Sequence, residues 1–354
     1  MHCVKPGLHF SSTSEERAET IRCLRDLFTM PGLIAWLLSS DGMPSNASSA
    51  KEGVFSVFLT SIICGEIHLR MEELLALCDV GDQNVPTSDG LLTDRLDLLD
   101  ACLELLVSLV QALVDEESPW PETLSAETLS RMQSALSAAA KDCTDFLSEA
   151  STVFNSLSGI NNSNSNDKRS ALVAAAERTA AALAVLVLED DSALPLLLGS
   201  LPRLLALSQA SPKLQLSILE CLLQRLWSGS SDSSADKQTV EQLQSLLDTD
   251  GQIVLASLEN LTQLEDMSGV GSEQLNLVRV SCELLILALQ RWKEQADRLR
   301  VPVNILLLSE KDGSIRESCI SLKEKLKLLD IISIGQGEAK DSLETLLAAL
   351  AIVG

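Results

Sequence analysis

Residues 91–114, LLTDRLDLLDACLELLVSLVQALV, constrain the fold of this chain more than any other stretch. Their apolar side chains recur at helical spacing on most faces, so the stretch predicts a helix that is buried on most faces. Its longest uncharged run, LLVSLVQALV, has ten residues, whereas a membrane-spanning helix needs roughly 20. The pattern therefore favours a helix packed among other helices, and no segment of the chain is expected to cross a membrane.

The same helical period recurs along nearly the whole sequence, and alternating period-two patterns are almost absent. Leu and Ala, which are strong helix formers, dominate, while aromatic residues make up 3% and Tyr is missing. The sequence therefore predicts an all-α protein. The clearest helices are expected at 14–28, 91–115, 125–158 (one helix or a pair), 168–188, 193–199, 201–208 and 272–298.

Two linker-like segments divide the chain. The first, INNSNSNDK at 160–168, consists mainly of Asn, Ser and Asp, which favour turns and loops. It predicts N-terminal helical repeats at 1–159 and C-terminal repeats at 169–354, with 160–168 as a flexible linker. A loop between two repeats of one continuous solenoid explains the same composition. The second segment, SGSSDSSADK, predicts a further flexible loop inside the C-terminal part.

Three short segments share one form: an apolar helix end, a Ser and then a polar turn. They are AWLLSSDG, LALSQASP and LLLSEKDG, each preceded by a short helix that begins near a Pro. This form resembles the passage from the second to the third helix of armadillo repeats, within the armadillo/HEAT-like class. The resemblance implies a right-handed superhelical stack of helical repeats, an α-solenoid. The groove-lining Asn of importin-type armadillo repeats has no clear counterpart, so peptide binding in that style is not implied.

The sequence predicts no catalytic, cofactor-binding or metal-binding residues. Of three His residues, only His68 lies outside the N-terminal tail, and no second His or Cys stands near it at ligand spacing. His68 is therefore interpreted as a residue on a helix face. Phosphate-binding glycine loops and the G-x-S-x-G nucleophile motif are absent from the sequence. We expect no enzymatic activity and no cofactor.

The formal net charge is −23, which opposes direct binding to nucleic acid or to anionic membranes. Basic or apolar protein partners are compatible with it, although such a charge also serves simply to keep a Leu-rich protein soluble. Nine Cys occur without any C-x-x-C, and several lie in apolar helical patterns. Free thiols of this kind indicate a reducing compartment, so we expect a cytoplasmic or nuclear location.

One segment departs from the acidic character of the chain. Residues 279–327 hold ten Lys or Arg and seven Asp or Glu, about +3 in all. Arg316, Lys323 and Lys327 are spaced to share one helix face, and in an armadillo-like unit that face would line the concave surface. These three residues define a predicted basic stripe, with the nearby cluster Arg291, Trp292 and Lys293 beside it. It would dock an acidic or helical segment, although a solvated helix face has the same pattern.

Three functions remain open. The first is a non-catalytic scaffold or adaptor that binds a peptide or helix of another protein on a solenoid surface, as a subunit of a larger complex. The second is a transport or membrane-trafficking adaptor, which would need a basic or lipid-seeking patch. The third is an enzyme whose site no motif reveals. Neither the partner nor the oligomeric state can be deduced from the sequence.

Overall fold

The computed structural model describes ten segments of the chain. They are residues 14–28, 54–79, 89–115, 124–157, 163–190, 192–208, 211–228, 272–299, 319–323 and 338–350. These residues are almost entirely helical and include no strand, so the prediction of an all-α fold is confirmed.

The described residues form nine long helices, with a further short helical stretch at 319–323. In chain order the helices are α1 (Ser14–Phe28), α2 (Val54–Cys78), α3 (Asp89–Val114), α4 (Ala126–Leu157), α5 (Ser163–Glu189), α6 (Leu194–Ser208), α7 (Pro212–Ser228), α8 (Ser272–Leu299) and α9 (Glu338–Ala349).

Helix starts follow ordinary capping chemistry. The hydroxyl of Ser125 accepts a hydrogen bond from the backbone N–H of Thr128 at 3.1 Å, which caps α4. The hydroxyl of Ser211 accepts one from the N–H of Leu214 at 3.2 Å, and Pro212 occupies the first helical position of α7. The sequence left open whether 125–158 forms one helix or a pair, and in the structure it forms a single helix, α4.

Two predicted features differ from the structure. Residues 163–168, assigned to a linker, form the first turns of α5. Asn and Ser are favoured at helix starts as well as in loops, and the helix-forming residues that follow extend the helix. The two short helices predicted at 193–199 and 201–208 are one helix, α6, which continues through Pro202.

The chain divides into two compact units, Met1–Leu207 and Ser208–Gly354. In the first unit α2 pairs with α3, and α4 pairs with α5. The two pairs then stack, since α2 also packs on α4 and α3 on α5, while α1 packs on α3. One layer therefore contains α2 and α4, and the other contains α1, α3 and α5.

Three contacts give the directions of the four long helices. Arg95 Nε, near the start of α3, lies 3.4 Å from Glu73 Oε2, near the end of α2, so these helices are antiparallel. Ser137 in the first half of α4 donates a 3.0 Å hydrogen bond to Asp190, just after α5, so this pair is antiparallel too. The C-terminal end of α2 also lies beside the start of α5: Lys168 Nζ donates a 3.5 Å hydrogen bond to the backbone carbonyl of Asp79, the residue after α2. Within each layer the long helices consequently run the same way.

Aliphatic and small side chains fill the interior of the first unit. Fully buried residues recur along α2, α3 and α5 and are mostly Leu, Ile and Ala. Ala-rich α5 allows neighbouring helices to approach closely, and its core positions include Ala175, Ala176 and Ala180. The segment Ser165–Glu189 is long and apolar enough to cross a membrane, but 56% of its most apolar window is buried inside the protein. That burial is typical of a core helix.

In the second unit α8 packs against both α7 and α9. The α7–α8 contact includes Arg279 on α8, whose Nη2 lies 3.7 Å from Glu220 Oε1 on α7. Arg279 also donates a 3.1 Å hydrogen bond to Glu283 within α8. Cys319 and Leu322, in the short helical stretch, are buried.

Candidate functional site

A groove crosses the α1/α3/α5 layer of the first unit. Side chains from the end of α1, the middle of α3 and the C-terminal half of α5 line a cavity of about 470 Å³. Because α3 packs against both α1 and α5, it forms the floor, and the other two helices form the walls. The apolar part of the lining consists of Phe28, Leu103, Leu105, Val107, Ala181, Ala182 and Val185. The volume is in the range of small-ligand sites, and it also accommodates several side chains of a docked segment.

Charged side chains of the groove occur as pairs between helices. Arg178 on α5 forms an ion pair with Asp100 on α3. Arg25 Nε on α1 lies 3.9 Å from Glu104 Oε2 on α3. Both arginines and both carboxylates belong to the lining, so α3 supplies the acids and the walls supply the bases.

An ion cluster centred on the buried Arg70 connects α2, in the other layer, to α1 and α3. Arg70 on α2 is 0% exposed and donates 2.7 Å hydrogen bonds to Glu66 and to Glu73. Arg17 on α1 lies 3.4 Å from Glu66, and Arg95 on α3 lies 3.4 Å from Glu73. Burial alone would lower the pKa of Arg70, but the hydrogen bonds and charges of the two glutamates outweigh it and raise that pKa. The cluster joins three helices and keeps Arg70 charged.

Most thiols in the described part of the chain are buried and weakly acidic. Burial raises the pKa of Cys64 to about 12, with a further contribution from Asp142. Burial likewise raises the pKa of Cys102 and of Cys221 to about 12. Protonated thiols of this kind are poor nucleophiles, so these three act as small apolar core residues. Cys23 on α1 is exposed.

His68 lies on an exposed helix face, as its isolation in the sequence suggested. Its side chain is 53% exposed, with Nε2 3.3 Å from Glu72 and Nδ1 3.4 Å from Asp142 on α4. Among the residues that the structure describes, no group of three His, Cys, Asp or Glu side chains is placed to hold a metal ion. The expected absence of a metal or cofactor stays a prediction.

The predicted basic stripe falls largely outside the described residues. Of its three members only Lys323 is described, as a part-buried residue in the helical stretch 319–323, while Arg316 and Lys327 lie outside. Residues Arg291, Trp292 and Lys293 lie within the backbone of α8, and their side chains are outside the described set. The stripe stays a prediction.

Sequence reasoning did not find the groove, although one signal for it is visible. Asp94, Asp97, Asp100 and Glu104 recur every three or four residues along α3, which places four carboxylates on one helix face. That face is the one that meets the arginines of α1 and α5. The acidic face of α3 can be recognised from the sequence, but the packing of α1 and α5 around it cannot.

Comparison with known proteins adds no relative: no family model, no curated protein and no solved structure matches this chain.

Proposed function

We propose that this chain is a non-catalytic scaffold or adaptor that binds a peptide or helix of another protein on the surface of a helical stack. It would act as a subunit of a larger complex. The observation that carries the proposal is the arrangement of α2–α5: two antiparallel hairpins stacked so that equivalent helices run the same way. Repeats of an armadillo/HEAT-like solenoid stack in this manner.

A ring in which each helix packs between antiparallel neighbours would be the ordinary four-helix bundle. Here α3 packs on α5 and α2 on α4, and each of these pairs runs in parallel. The position of α1 on α3 extends one layer beyond the two hairpins. Such an open layer favours an extended binding surface, and its groove provides a place for partner side chains.

The trafficking alternative has weaker support in the described residues. It needs a basic surface, and Arg279, the first basic residue of segment 279–327, is engaged by Glu220 and Glu283. The enzyme alternative gains nothing from the thiols with raised pKa values, because they are poor nucleophiles at neutral pH. A protein-binding role therefore agrees best with the groove and the charge.

The test is capture of partners by the tagged full chain from cells that express it, followed by reconstitution of each candidate complex from purified components. Three variants run in parallel. Ala181→Trp fills the groove, and Ala138→Trp places the same side chain at an exposed alanine of α4 as its control. The third variant replaces Arg316, Lys323 and Lys327 by Glu and so reverses the charge of the predicted basic stripe.

A stoichiometric complex that survives reconstitution is the expected result. Its loss in Ala181→Trp alone would locate binding in the groove, whereas its loss in the triple Glu variant would locate it at the stripe. Failure of every candidate to form a complex with the purified wild-type chain would overturn the scaffold proposal.

A further inference from the structure

We infer that the groove over α3 receives an amphipathic helix with Lys or Arg residues beside its apolar face. This inference rests on the proposed protein-binding function and specifies its site and the chemistry of its partner. The starting point is the acidic face of α3, formed by Asp94, Asp97, Asp100 and Glu104. The first, third and fourth contact arginines of flanking helices, and Asp97 is exposed on the same face one turn before Asp100.

Helix α1 demonstrates how α3 binds another helix. Its buried residues Ile21, Leu24 and Phe28 recur at helical spacing. Beside them, Arg22 Nη2 lies 2.5 Å from Asp94 and Arg25 Nε lies 3.9 Å from Glu104. Recognition of α3 thus combines an apolar face with neighbouring arginines. A second helix with the same features would find the same chemistry in the groove.

The accessible apolar surface of the groove comes mainly from three of its lining residues. Val107 of the floor is part-buried, and Val185 of the α5 wall is too. Ala181 is exposed on that wall, and its small side chain leaves room for a partner to approach closely. Apolar side chains at positions i, i+3 and i+4 of a docked helix are the usual anchors in such a site.

Charge favours a basic occupant over an acidic one. The two arginines of the lining already have carboxylate partners, Arg25 with Glu104 and Arg178 with Asp100. The charged groups of the lining itself balance, so the excess of negative charge on this face comes from Asp97, which is exposed two turns before Glu104 and outside the lining. Glu104 remains 56% exposed on its side chain. The whole chain carries a formal net charge of −23, which attracts a basic segment and repels an acidic one.

The experiment measures binding of a fluorescein-labelled Leu/Lys amphipathic helix of roughly 18 residues, five turns, to the full chain by fluorescence anisotropy. A matched Leu/Glu helix tests the sign of the charge. Ala181→Trp blocks the groove, and Ala138→Trp on α4 is its control. Asp97→Lys reverses one carboxylate of the acidic face, and Asp145→Lys at an exposed position of α4 makes the same charge change in the other layer. Circular dichroism verifies that each variant is folded.

We expect the Leu/Lys helix to bind and the Leu/Glu helix not to bind. Ala181→Trp should weaken binding by at least about tenfold, and Asp97→Lys by about two- to fivefold because an exposed ion pair contributes little, while both α4 controls leave binding unchanged. Equal binding of the two helices, or equal effects of Ala181→Trp and Ala138→Trp, would overturn the inference. So would groove-dependent binding of dodecanoate without binding of the Leu/Lys helix, because the groove would then be a site for small amphiphiles.

Failure here is distinguishable from failure of the scaffold proposal. A reconstituted natural complex that is insensitive to both Ala181→Trp and Asp97→Lys would leave the scaffold function standing and reject the groove as its site. Absence of any reconstituted complex would reject the scaffold function whatever the Leu/Lys helix does.

Discussion

At the scale of single residues, burial decides what a charge or a thiol contributes. Arg70 looks in the sequence like an ordinary charge in a run of charged residues, HLRMEE. In the structure it is enclosed, with Glu66 four residues before it and Glu73 three residues after it. Helical spacing predicts that such residues meet, but not that they are buried. Burial depends on how the other helices pack around this part of α2, where α1 and α3 contribute Arg17 and Arg95 to the same ion cluster.

Replacing Arg70 should be far more damaging than replacing an equivalent surface arginine. Arg70–Glu66 and Arg131–Glu127 are both i, i+4 pairs at 2.7 Å, but Arg70 is 0% exposed and Arg131 is 66% exposed. Arg70→Met should cost about 3–5 kcal/mol in the free energy of unfolding, because it leaves the buried carboxylate of Glu66 and the part-buried carboxylate of Glu73 without their shortest ion pairs. Arg131→Met should cost about 0–1 kcal/mol. Urea denaturation measures both, and similar costs would contradict the structural role of the buried pair.

The buried thiols predict a loss of stability at alkaline pH. Their pKa is about 12 in the folded protein at Cys64, Cys102 and Cys221, against an ordinary value of 9.0. Above pH 9 the unfolded chain releases these protons and the folded chain keeps them, so the unfolded state is increasingly favoured. Each thiol should lower the free energy of unfolding by about 1.4 kcal/mol per pH unit between its unfolded and folded pKa values. Denaturation at several pH values tests this, with Cys64→Ala as the control that removes one thiol. An unchanged slope in that variant would refute the assignment.

At the scale of elements, the sequence predicts helices better than their limits. The apolar period gives α1 its observed bounds, Ser14–Phe28, and gives α3 to within two residues. The predicted helix limits are wrong where a residue type is common both in helices and in loops or helix breaks. Asn and Ser before Lys168 suggest a loop yet begin α5, and Pro202 suggests a break yet lies inside α6. Local preference is weak at such positions, and the surrounding helix-forming residues decide the outcome.

Helix α1 should be held mainly by its buried apolar residues. Leu24 is 0% exposed, and Leu24→Ala should cost about 2–5 kcal/mol, whereas Cys23→Ala at the exposed neighbouring position should cost little. Hydrogen exchange would locate the effect: amides of residues 14–28 should exchange faster in Leu24→Ala, with α4 and α5 unaffected. A uniform increase across all five helices would show that α1 is not a separable element.

At the scale of the whole molecule, the pairing of the helices lies beyond what sequence reasoning can predict. Leu- and Ala-rich faces are nearly interchangeable, so apolar pattern alone does not say that α3 packs on α5 or α2 on α4. Specific pairs between different helices, such as Arg95–Glu73 and Arg178–Asp100, distinguish the observed arrangement from its alternatives. The sequence does not predict the division between Leu207 and Ser208, because the linker-like residues lie at 160–168 instead.

The first compact unit should fold without the second. Its principal helix pairings and the buried Arg70 cluster lie within Met1–Leu207. Residues 1–207 expressed alone should therefore give a helical circular dichroism spectrum and cooperative thermal unfolding. In the native state Cys64 and Cys143 should resist alkylation while Cys23 reacts, as mass spectrometry of digested peptides can show. Rapid alkylation of all three would mean that this unit depends on the rest of the chain.

The short reach of these pairings along the chain bears on how the protein is made. Each principal pairing in the first unit joins helices that are adjacent or next but one in chain order. Once α1, α2 and α3 have emerged from the ribosome during synthesis, the nascent chain contains all three arginines and both glutamates of the Arg70 cluster. The first hairpin can close during synthesis, and α4 and α5 then add to a template already in place.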